Sequence, residues 1–313
     1  MKNLIIFLSL AVFCLLSATA FSQTTFTGAI SDDWADTGNW DNELPAAGND
    51  ATIPVGLIVV NSGILYVDFN ITNNGDIENH YFAYIENNGN MDNFGYIENF
   101  GYIANSYDGY IYNSGTIENS GTLANSTTIE NSGTIDNYET FFNGLDILNL
   151  GHINNYETIE NSGTIFNSYY GDIDNYGDIT IEGTIENSGT IDNSGTIDNY
   201  GDITIGNYGT IDNYRDIDNE GTITIGNYGT IDNYRDIDNE GTINNNATII
   251  NSGTIHNCLG VYVGNPPDIN PLEEDCPSEE ICDEVDNDWD GEIDEGCGCT
   301  DVLACNFDPS YEI

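Results

Sequence analysis

One six-residue pattern of apolar and polar positions repeats with few interruptions from about residue 75 to residue 258. Its consensus is Gly-Thr-Ile-Asp/Glu-Asn-Ser/Tyr, which can be read directly at residues 115–120, 133–138 and 189–194. The Thr-Ile-acid-Asn stretch is typical of a short β-strand, because β-branched side chains favour an extended backbone. Alternation along this strand places Ile and Asn on one face, and Thr and the acid on the other. The next Gly is free to adopt a positive φ, so we expect a corner there.

A repeat unit this short cannot bury its own apolar face, so consecutive units must stack to form a continuous core. The pattern therefore predicts an all-β protein whose fold is a parallel β-solenoid, also called a β-helix. We expect the isoleucines to stack inside the coils. The asparagines are expected to form amide ladders near the corners, where each side chain satisfies the next. The acids and most threonines are expected to face water.

Two-residue insertions in the repeat indicate how many strands make one coil. Three of them are separated by multiples of three hexapeptides, namely residues 169–170, 207–208 and 227–228. The block 201–220 is also repeated almost unchanged as 221–240, and a tolerated duplication should add whole coils. These spacings favour three-sided coils of about 18–20 residues. The insertions at 81–82 and 107–108 do not share that corner, and the handedness of the solenoid stays open.

The first 62 residues lack the repeat and divide into two predicted segments. Residues 1–22 have a basic start, an apolar run and small residues before the cut, as a secretory signal peptide does, and the apolar run is short for a membrane span. Residues 23–62 are interpreted as the N-terminal cap, in which Trp34, Trp40 and Leu44 cover the end of the stacked core. This cap resembles the lead-in of many secreted bacterial β-solenoids, which carry a similar Trp, Leu-Pro and Ile-Pro string.

The charge of the chain excludes several classes of partner. The sequence has 53 acidic residues and 3 Lys plus Arg, which gives a formal net charge of -50. Such a chain repels nucleic acid and anionic lipid and attracts cations. Carboxylates on stacked coils about 4.8 Å apart repel by roughly 0.9 kcal/mol even at the dielectric constant of water. Divalent cations or high salt would offset this repulsion along the solenoid. In the alternative interpretation, the acids form a solvated surface that binds no specific cation.

The repeat, assigned to residues 63–258, is followed by segments of a different composition. Residues 259–275 are rich in Pro and acid and are interpreted as a linker. Cys14 would leave with the signal peptide, so six cysteines remain in the exported chain: Cys258, Cys276, Cys282, Cys297, Cys299 and Cys305. Their crowding near the C-terminus is typical of a small disulfide-stapled module in an oxidising compartment, although the sequence does not give their connectivity.

The sharpest local motif lies in residues 276–297, the predicted metal-binding module. Oxygens at the first, third and fifth positions of an Asp-rich loop can wrap a hard cation, and a Gly at the sixth position makes the turn. The candidate ligands are Asp286, Asp288, Asp290, Glu292, Asp294 and Glu295. Cys297 occupies the twelfth position, where an EF-hand has a bidentate Glu, so the loop is not a standard EF-hand. The alternative is an acidic, solvated linker.

Two stretches near the C-terminus resemble repeats of secreted bacterial proteins. Residues 280–297 are similar to short Asp-rich metal-binding repeats of the form CDGVDNDCDGxIDEGC, a resemblance that implies divalent cation binding, with Ca²⁺ as the expected cofactor. Cys282 and Cys297 bracket that loop and are candidates for a disulfide around it. Residues 298–313 resemble the start of a GCTDxxACNYxP cysteine repeat found in large secreted proteins of Bacteroidetes. The usual end of that repeat is missing, so we expect a fragment that has lost a C-terminal sorting or anchoring region.

Catalysis finds little support in the sequence. The three histidines, His80, His152 and His256, occupy different places in the repeat. Arg215 and Arg235 are copies of each other in the duplicated block, which indicates drift of the repeat rather than a site. The fold resembles that of hexapeptide β-helix acyltransferases, but their pattern lacks the regular Asn, so their activity is not carried over. We therefore expect a protein that is not an enzyme.

The sequence leads to one functional hypothesis and two alternatives. The hypothesis is a secreted or cell-surface, structural and adhesin-like β-solenoid with a calcium-binding module. Its partners would be divalent cations and extracellular glycans or other surface proteins, without insertion of the mature chain into a membrane. The first alternative is a polysaccharide-binding or polysaccharide-active β-helix, in which a row of tyrosines contacts glycans rather than packing over corners: Tyr138, Tyr156, Tyr176, Tyr200, Tyr214 and Tyr234. The second is an ice-binding rod with a threonine array: Thr116, Thr122, Thr134, Thr190 and Thr196.

Overall fold

The computed structural model describes residues 22–269, apart from 207, 227, 235–236, 240–241, 246–247, 252–254 and 257–260. The predicted signal peptide, metal-binding module and cysteine repeat therefore lie outside the described residues. Within them, the only helix is a short 3₁₀ turn at Thr37–Asn39, and every other regular element is a β-strand.

The strands follow the repeat almost unit by unit. In chain order they are β1 (Ser22–Thr25), β2 (Asn49–Ile53), β3 (Ile58–Asn61), β4 (Ile64–Val67), β5 (Ile71–Asn73), β6 (Asp76–Asn79), β7 (Tyr84–Asn87), β8 (Asn90–Asn93), β9 (Tyr96–Asn99), β10 (Tyr102–Asn105), β11 (Tyr110–Asn113), β12 (Thr116–Asn119), β13 (Thr122–Asn125), β14 (Thr128–Asn131), β15 (Thr134–Asn137), β16 (Thr140–Asn143), β17 (Asp146–Asn149), β18 (His152–Asn155), β19 (Thr158–Asn161), β20 (Thr164–Asn167), β21 (Asp172–Asn175), β22 (Asp178–Ile181), β23 (Thr184–Asn187), β24 (Thr190–Asn193), β25 (Thr196–Asn199), β26 (Asp202–Ile205), β27 (Thr210–Asn213), β28 (Ile217–Asn219), β29 (Thr222–Ile225), β30 (Thr230–Asn233), β31 (Ile237–Asn239), β32 (Thr242–Asn245), β33 (Thr248–Asn251), β34 (Ile255–His256), β35 (Val261–Gly264) and β36 (Asp268–Ile269).

These strands form three parallel sheets, so the predicted three-sided β-solenoid is confirmed. Sheet 1 has 13 described strands, β1 followed by every third strand from β2 to β35; sheet 2 has 12, every third strand from β3 to β36; and sheet 3 has 11, every third strand from β4 to β34. The chain passes from sheet 1 to sheet 2 to sheet 3 and back, which makes one coil. With neighbouring strands about 4.8 Å apart, the twelve strands of sheet 2 extend over about 53 Å.

Strand register confirms both the predicted coil length and the predicted corners. Thr116 pairs with Thr134 on one side and with Tyr96 on the other, which are coil lengths of 18 and 20 residues. The insertions at 169–170, Tyr208 and Tyr228 all fall between a strand of sheet 1 and the next strand of sheet 2. We name the three corners by the sheets that they join, so these insertions lie on corner 1–2. The other two insertions lie on corners 2–3 and 3–1.

The core is a single stack of aliphatic side chains that runs along the solenoid. Most described strands bury their second and fourth residues and leave the first and third half-buried on the outside, as the alternation predicts. Ile117, Ile135 and Ile153 are at most 1% exposed and stack coil upon coil in sheet 2. Apolar burial of about 25 cal/mol per Å² makes this stack the main stabilising contribution. It has no boundary between coils, so each coil is stable only beside its neighbours.

Buried asparagines form ladders along the corners. Asn119 Nδ2 donates to Asn137 Oδ1 in the next coil at 2.8 Å, and to the backbone oxygen of Thr140 at 2.9 Å. Asn137 repeats the same bonds with Asn155 and Thr158. In each such pair the amide nitrogen points to the coil that follows in the chain, so every ladder has one direction. Buried amides paired in this way avoid the desolvation penalty of an unsatisfied polar group.

Three breaks in the ladders each leave an identifiable unpaired atom. At these breaks a ladder segment begins directly after an aliphatic residue at the same position of the preceding coil, namely Ile53, Val67 or Ile181. The side-chain oxygens that follow them have no hydrogen-bond donor among the described residues: Asn73 Oδ1, Asn87 Oδ1 and Asn199 Oδ1. The pairing rule therefore explains three of the buried unsatisfied oxygens, because each has lost the amide that would have preceded it.

The reason expected for the repeat glycines is wrong. Among the described glycines, positive φ occurs at Gly28, Gly48 and Gly56, which all lie before the repeat begins. A repeat glycine is instead needed for close approach between coils: a Cβ on Gly115 would lie 2.0 Å from the carbonyl oxygen of Gly95. At Gly115 the stacked corners thus leave no space for a side chain, although other coils carry Glu139 or Glu157 at the same place in the repeat.

Aromatic side chains close the N-terminal end of the core. Trp40 packs edge-on against Phe26 and Trp34, with ring centroids 5.2 Å and 4.9 Å apart, and Trp34 stacks on Phe69. The indole Nε1 of Trp40 donates to the backbone oxygen of Trp34 at 2.9 Å, so its one polar atom is satisfied. Leu44 packs against the same cluster. The paired strands begin at β1 and continue past Cys258 to β36, beyond the 63–258 range that the hexapeptides delimit.

Candidate functional site

The predicted calcium ligands lie in residues 286–295 and so outside the described residues. In the part of the chain that the structure describes, no group of three or more His, Cys, Asp or Glu side chains is arranged to hold a metal ion. The geometry that can be assessed is therefore that of the outer surface of the solenoid.

Strand register gathers most acids of sheet 2 into one line, which we call the acid column. Each member is the third residue of its strand and stacks on the third residue of the next coil. The column consists of Glu78, Glu98, Glu118, Asp136, Asp174, Asp192, Asp212 and Asp232, with Asn154 between Asp136 and Asp174. Asp198, by contrast, lies on sheet 3. The hexapeptide alone gives no hint of this segregation, since acids occur in strands of all three sheets.

Partial burial and mutual repulsion disfavour the charged form in the C-terminal half of the acid column. Burial raises the pKa of Asp192, and the carboxylates of Asp212, Asp174 and Asp172 raise it further. Burial also raises the pKa of Asp212, with a smaller contribution from Asp232. These side chains have no described lysine or arginine close enough for an ion pair. The C-terminal half of the acid column is therefore a negatively charged surface without a compensating lysine or arginine among the described residues.

The N-terminal half of the acid column is partly compensated by hydrogen bonds. The hydroxyl of Tyr96 donates to Glu118 Oε2, and together with burial this bond raises the pKa of Tyr96. Burial raises the pKa of Glu98, and Glu78 and Glu118 add to the effect. Glu118 thus has a hydrogen-bond partner within the coil stack, whereas Asp192 in the C-terminal half has none among the described residues.

Tyrosines line corner 2–3, immediately beyond the acid column. The rings of Tyr138 and Tyr156 are 4.7 Å apart at 4°, those of Tyr156 and Tyr176 are 5.3 Å apart at 7°, and those of Tyr214 and Tyr234 are 4.9 Å apart at 2°. Parallel rings this close must overlap face to face, because coplanar rings side by side would clash. We call these five residues the tyrosine ladder. Its stacked members turn edges and hydroxyls outward, which favours packing over glycan stacking.

The remaining tyrosine of the predicted row belongs elsewhere. Tyr200 follows β25 and lies on corner 3–1, so the structure does not bring it to the ladder. The threonine array divides in the same way: Thr116, Thr134 and Thr190 are on sheet 2, but Thr122 and Thr196 are on sheet 3. The three on sheet 2 lie two residues before the acids of the acid column in the same strands. This arrangement offers no broad uncharged threonine face.

The two-residue insertions all expose aromatic rings. Phe82, Tyr107, Tyr208 and Tyr228 are exposed and have φ between 53° and 71°, a region that bulky side chains rarely adopt. Tyr208 and Tyr228 stack on corner 1–2 with centroids 5.4 Å apart. Sequence reasoning located these corners but did not note that every insertion carries an aromatic residue, although the sequence shows it.

His80 and His152 each lie beside a single carboxylate among the described residues. His80 Nε2 lies 3.4 Å from Glu78 Oε2, and His152 Nδ1 lies 3.3 Å from Asp172 Oδ2; both pairs are on the outer surface of sheet 2 or its corner. His256 lies in β34, on sheet 3. Exposed pairs of this kind contribute little to stability.

Comparison with family models, with curated proteins and with solved structures finds no match to this chain. No helix within the described ranges is long and apolar enough to cross a membrane. The functional conclusions below therefore depend on the residues and geometry of the chain itself.

Proposed function

We propose that the chain is an exported structural protein, a rigid acidic rod that spaces and presents adhesive surfaces outside the cell. The observation that carries this proposal is the continuous stack of three parallel sheets over about 53 Å, whose outer side chains form rows rather than a cleft. A solenoid of this kind presents extended repeated surfaces, which suit binding and spacing. We propose that it acts without catalysis.

Features of the termini support export and cation binding. Residues 1–22 have the pattern of a secretory signal peptide, and crowded cysteines suit an oxidising compartment. The Asp-rich loop at 286–295 has the spacing of a calcium loop, with Asp286, Asp288 and Asp290 as the first three ligands. In the proposal, bound Ca²⁺ orders this module behind the rod, and divalent cations or salt also relieve repulsion along the acid column.

Display outside the cell can be tested by antibody labelling of intact cells that express the full chain, with permeabilised cells as the control. We expect labelling of intact cells and binding of purified chain, coated on beads, to cell-surface material. Label that appears only after permeabilisation would contradict the proposed location. Beads that bind no more than beads coated with an unrelated acidic protein would contradict the adhesive role.

The calcium module is tested separately by calorimetric titration of the full chain beside an Asp288→Ala/Asp290→Ala variant. Saturable binding that disappears in the variant supports the module. Binding that persists unchanged assigns the cations to the solenoid surface instead, and no binding in either protein contradicts the metal assignment.

A further inference from the structure

The tyrosine ladder lacks one rung. Ser194 is the corner residue of the coil that contains β24, and the corner residues of the coils on either side are Tyr176 and Tyr214. Ser194 is exposed, and its short side chain leaves the two rings separated by two coil spacings, about 9.6 Å. A planar group placed between them would lie about 4.8 Å from each ring, as far as one ladder ring lies from the next. We call this opening the Ser194 slot.

A carboxylate without a hydrogen-bond partner lies beside the slot. Asp192, two residues before Ser194, belongs to the acid column and has no hydrogen-bond partner among the described residues; its Oδ1 is shielded from solvent, so a donor in the slot would bond to Oδ2. In another coil, the ladder ring at the same corner reaches the acid of its own strand: Tyr234 Oη donates to Asp232 Oδ2 at 3.0 Å. A donor held in the Ser194 slot would stand over Asp192 in the same way.

A second gap in the ladder provides an internal comparison. Ser120 interrupts the corner between Phe100 and Tyr138, so the opening has a similar width. The acid beside it, Glu118, already accepts a hydrogen bond from Tyr96. The two gaps therefore resemble each other in shape but differ at the acid beside them, since Glu118 accepts a hydrogen bond from Tyr96, whereas no described residue donates one to Asp192.

Charge and shape together select the occupant. A neutral aromatic ring would fit between the rings but would leave Asp192 unpaired, whereas a guanidinium is planar, stacks on aromatic faces and donates charge-assisted hydrogen bonds to a carboxylate. At about 4.8 Å from each ring it lies within the roughly 6 Å range of cation–π attraction. We propose that the Ser194 slot binds an arginine side chain of an extended basic segment of a partner protein.

The partner must supply that arginine. Arg215 follows Tyr214 on the same corner and is exposed, but the described ion pairs involve His80 and His152 and none involves Arg215. The flanking carboxylates of Asp174 and Asp212 extend the acid column along the solenoid; burial raises the pKa of both, and the neighbouring carboxylates Asp172 and Asp232 add to the effect. A basic segment that runs along the acid column would pair with them while one arginine fills the slot.

The test is fluorescence anisotropy of the full chain with a labelled Gly/Ser peptide that contains one arginine, at about 0.15 M salt to screen the general field. Matched peptides carry lysine or the uncharged isostere citrulline instead. We expect the arginine peptide to bind most tightly and the citrulline peptide to lose the interaction. Equal binding of all three would overturn the proposal.

Two pairs of variants locate the site. Ser194→Tyr adds the missing ring and should weaken arginine-peptide binding about tenfold or more, whereas Ser120→Tyr should leave it nearly unchanged. Asp192→Asn should weaken binding more than Asp198→Asn, which removes the same charge from sheet 3. Equal effects within either pair would refute the slot. Circular dichroism and a melting curve confirm that each variant is folded.

This inference names a partner class for the proposed adhesive role, and rests on that role only for the presence of a partner outside the cell. The proposed function and the Ser194 slot can be refuted separately. Peptide binding by a chain that never reaches the surface would preserve the slot and refute the location. Surface display without arginine-dependent binding would refute the slot and preserve the proposed location.

Discussion

The buried asparagine ladder makes a quantitative prediction about a single residue. Asn137 is fully buried and belongs to the middle of a ladder, where it accepts from Asn119 and donates to Asn155, both at 2.8 Å. Asn137→Ala removes both ladder bonds, at a net cost of about 1 kcal/mol each, and leaves Asn155 Oδ1 buried without a donor, at about 1–3 kcal/mol more. It also removes the bonds from Asn137 Nδ2 to the backbone oxygens of Thr158 and Glu139. The expected loss of unfolding free energy is therefore at least about 3–5 kcal/mol.

A second substitution at the same position separates hydrogen bonding from space filling. The chain itself places Ile181, Ile205 and Ile225 at this ladder position, so isoleucine fits without a backbone change. Asn137→Ile loses the same bonds but buries apolar surface that contributes about 1.5–3 kcal/mol. We expect Asn137→Ile to be clearly less destabilising than Asn137→Ala.

Urea unfolding followed by circular dichroism measures both free energies, and hydrogen exchange shows whether the loss is confined to neighbouring coils. Thr134→Ala, on the outer face of the same strand, is the control and should change stability by less than about 0.5 kcal/mol. An isoleucine variant as unstable as the alanine variant, or an alanine variant as stable as the control, would refute the reasoning.

Three further predictions follow from the same geometry. In urea unfolding, Ile181→Asn should be less destabilising than Ile179→Asn by about 2 kcal/mol. The new amide at position 181 can supply the donor that Asn199 Oδ1 lacks, whereas position 179 does not belong to an asparagine ladder. Equal losses of unfolding free energy in the two variants would contradict this reasoning. Gly195→Ala should destabilise the protein strongly, because the new Cβ would lie 1.8 Å from the carbonyl oxygen of Gly177. Gly144→Ala should be only mildly destabilising, because its Cβ would lie 3.3 Å from the nearest atom. The melting temperatures of the two variants test this difference. Because the carboxyl pKa values of the acid column are raised, the folded chain binds protons more tightly than the unfolded chain. The stability should therefore be greatest below the ordinary pKa values of 3.8 for Asp and 4.5 for Glu, and it should fall as the pH rises through the raised values. Melting temperature should therefore increase on acidification from neutral pH toward those ordinary values, less so in Asp192→Asn/Asp212→Asn, and a steady decrease would refute the sign.

Most of the fold could be predicted from the sequence because the repeat determines it locally. The insertions at 169–170 and 227–228, separated by a multiple of three hexapeptides, were enough to predict a triangular coil, and alternation within Thr-Ile-acid-Asn was enough to predict which residues are buried. The conformation of Gly115 was not predictable in the same way. Its role depends on the approach of Gly95 from another coil, which no local pattern encodes.

The candidate site was much less predictable, because it depends on register. Asp192 and Asp198 occupy the same place in consecutive hexapeptides, yet they lie on different sheets. Only the sum of the coil lengths, 18 or 20 residues at each step, shows that Asp192 stacks between Asp174 and Asp212. The gap at Ser194 is likewise invisible until Tyr176 and Tyr214 are known to be its neighbours.

Growth of the solenoid by duplication bears on both the rows of side chains and the gap within them. Residues 221–240 copy 201–220, and the copy adds one coil that places Asp232 on Asp212 and Tyr234 beyond Tyr214. Rows of identical residues therefore arise from copying alone, and their existence is weak evidence for a ligand. Serine is the other consensus residue at this place in the hexapeptide, as at Ser188, so copying can account for Ser194 as well. The evidence for the Ser194 slot is therefore its position between Tyr176 and Tyr214 beside Asp192, and the comparison of Ser194→Tyr with Ser120→Tyr tests that position directly.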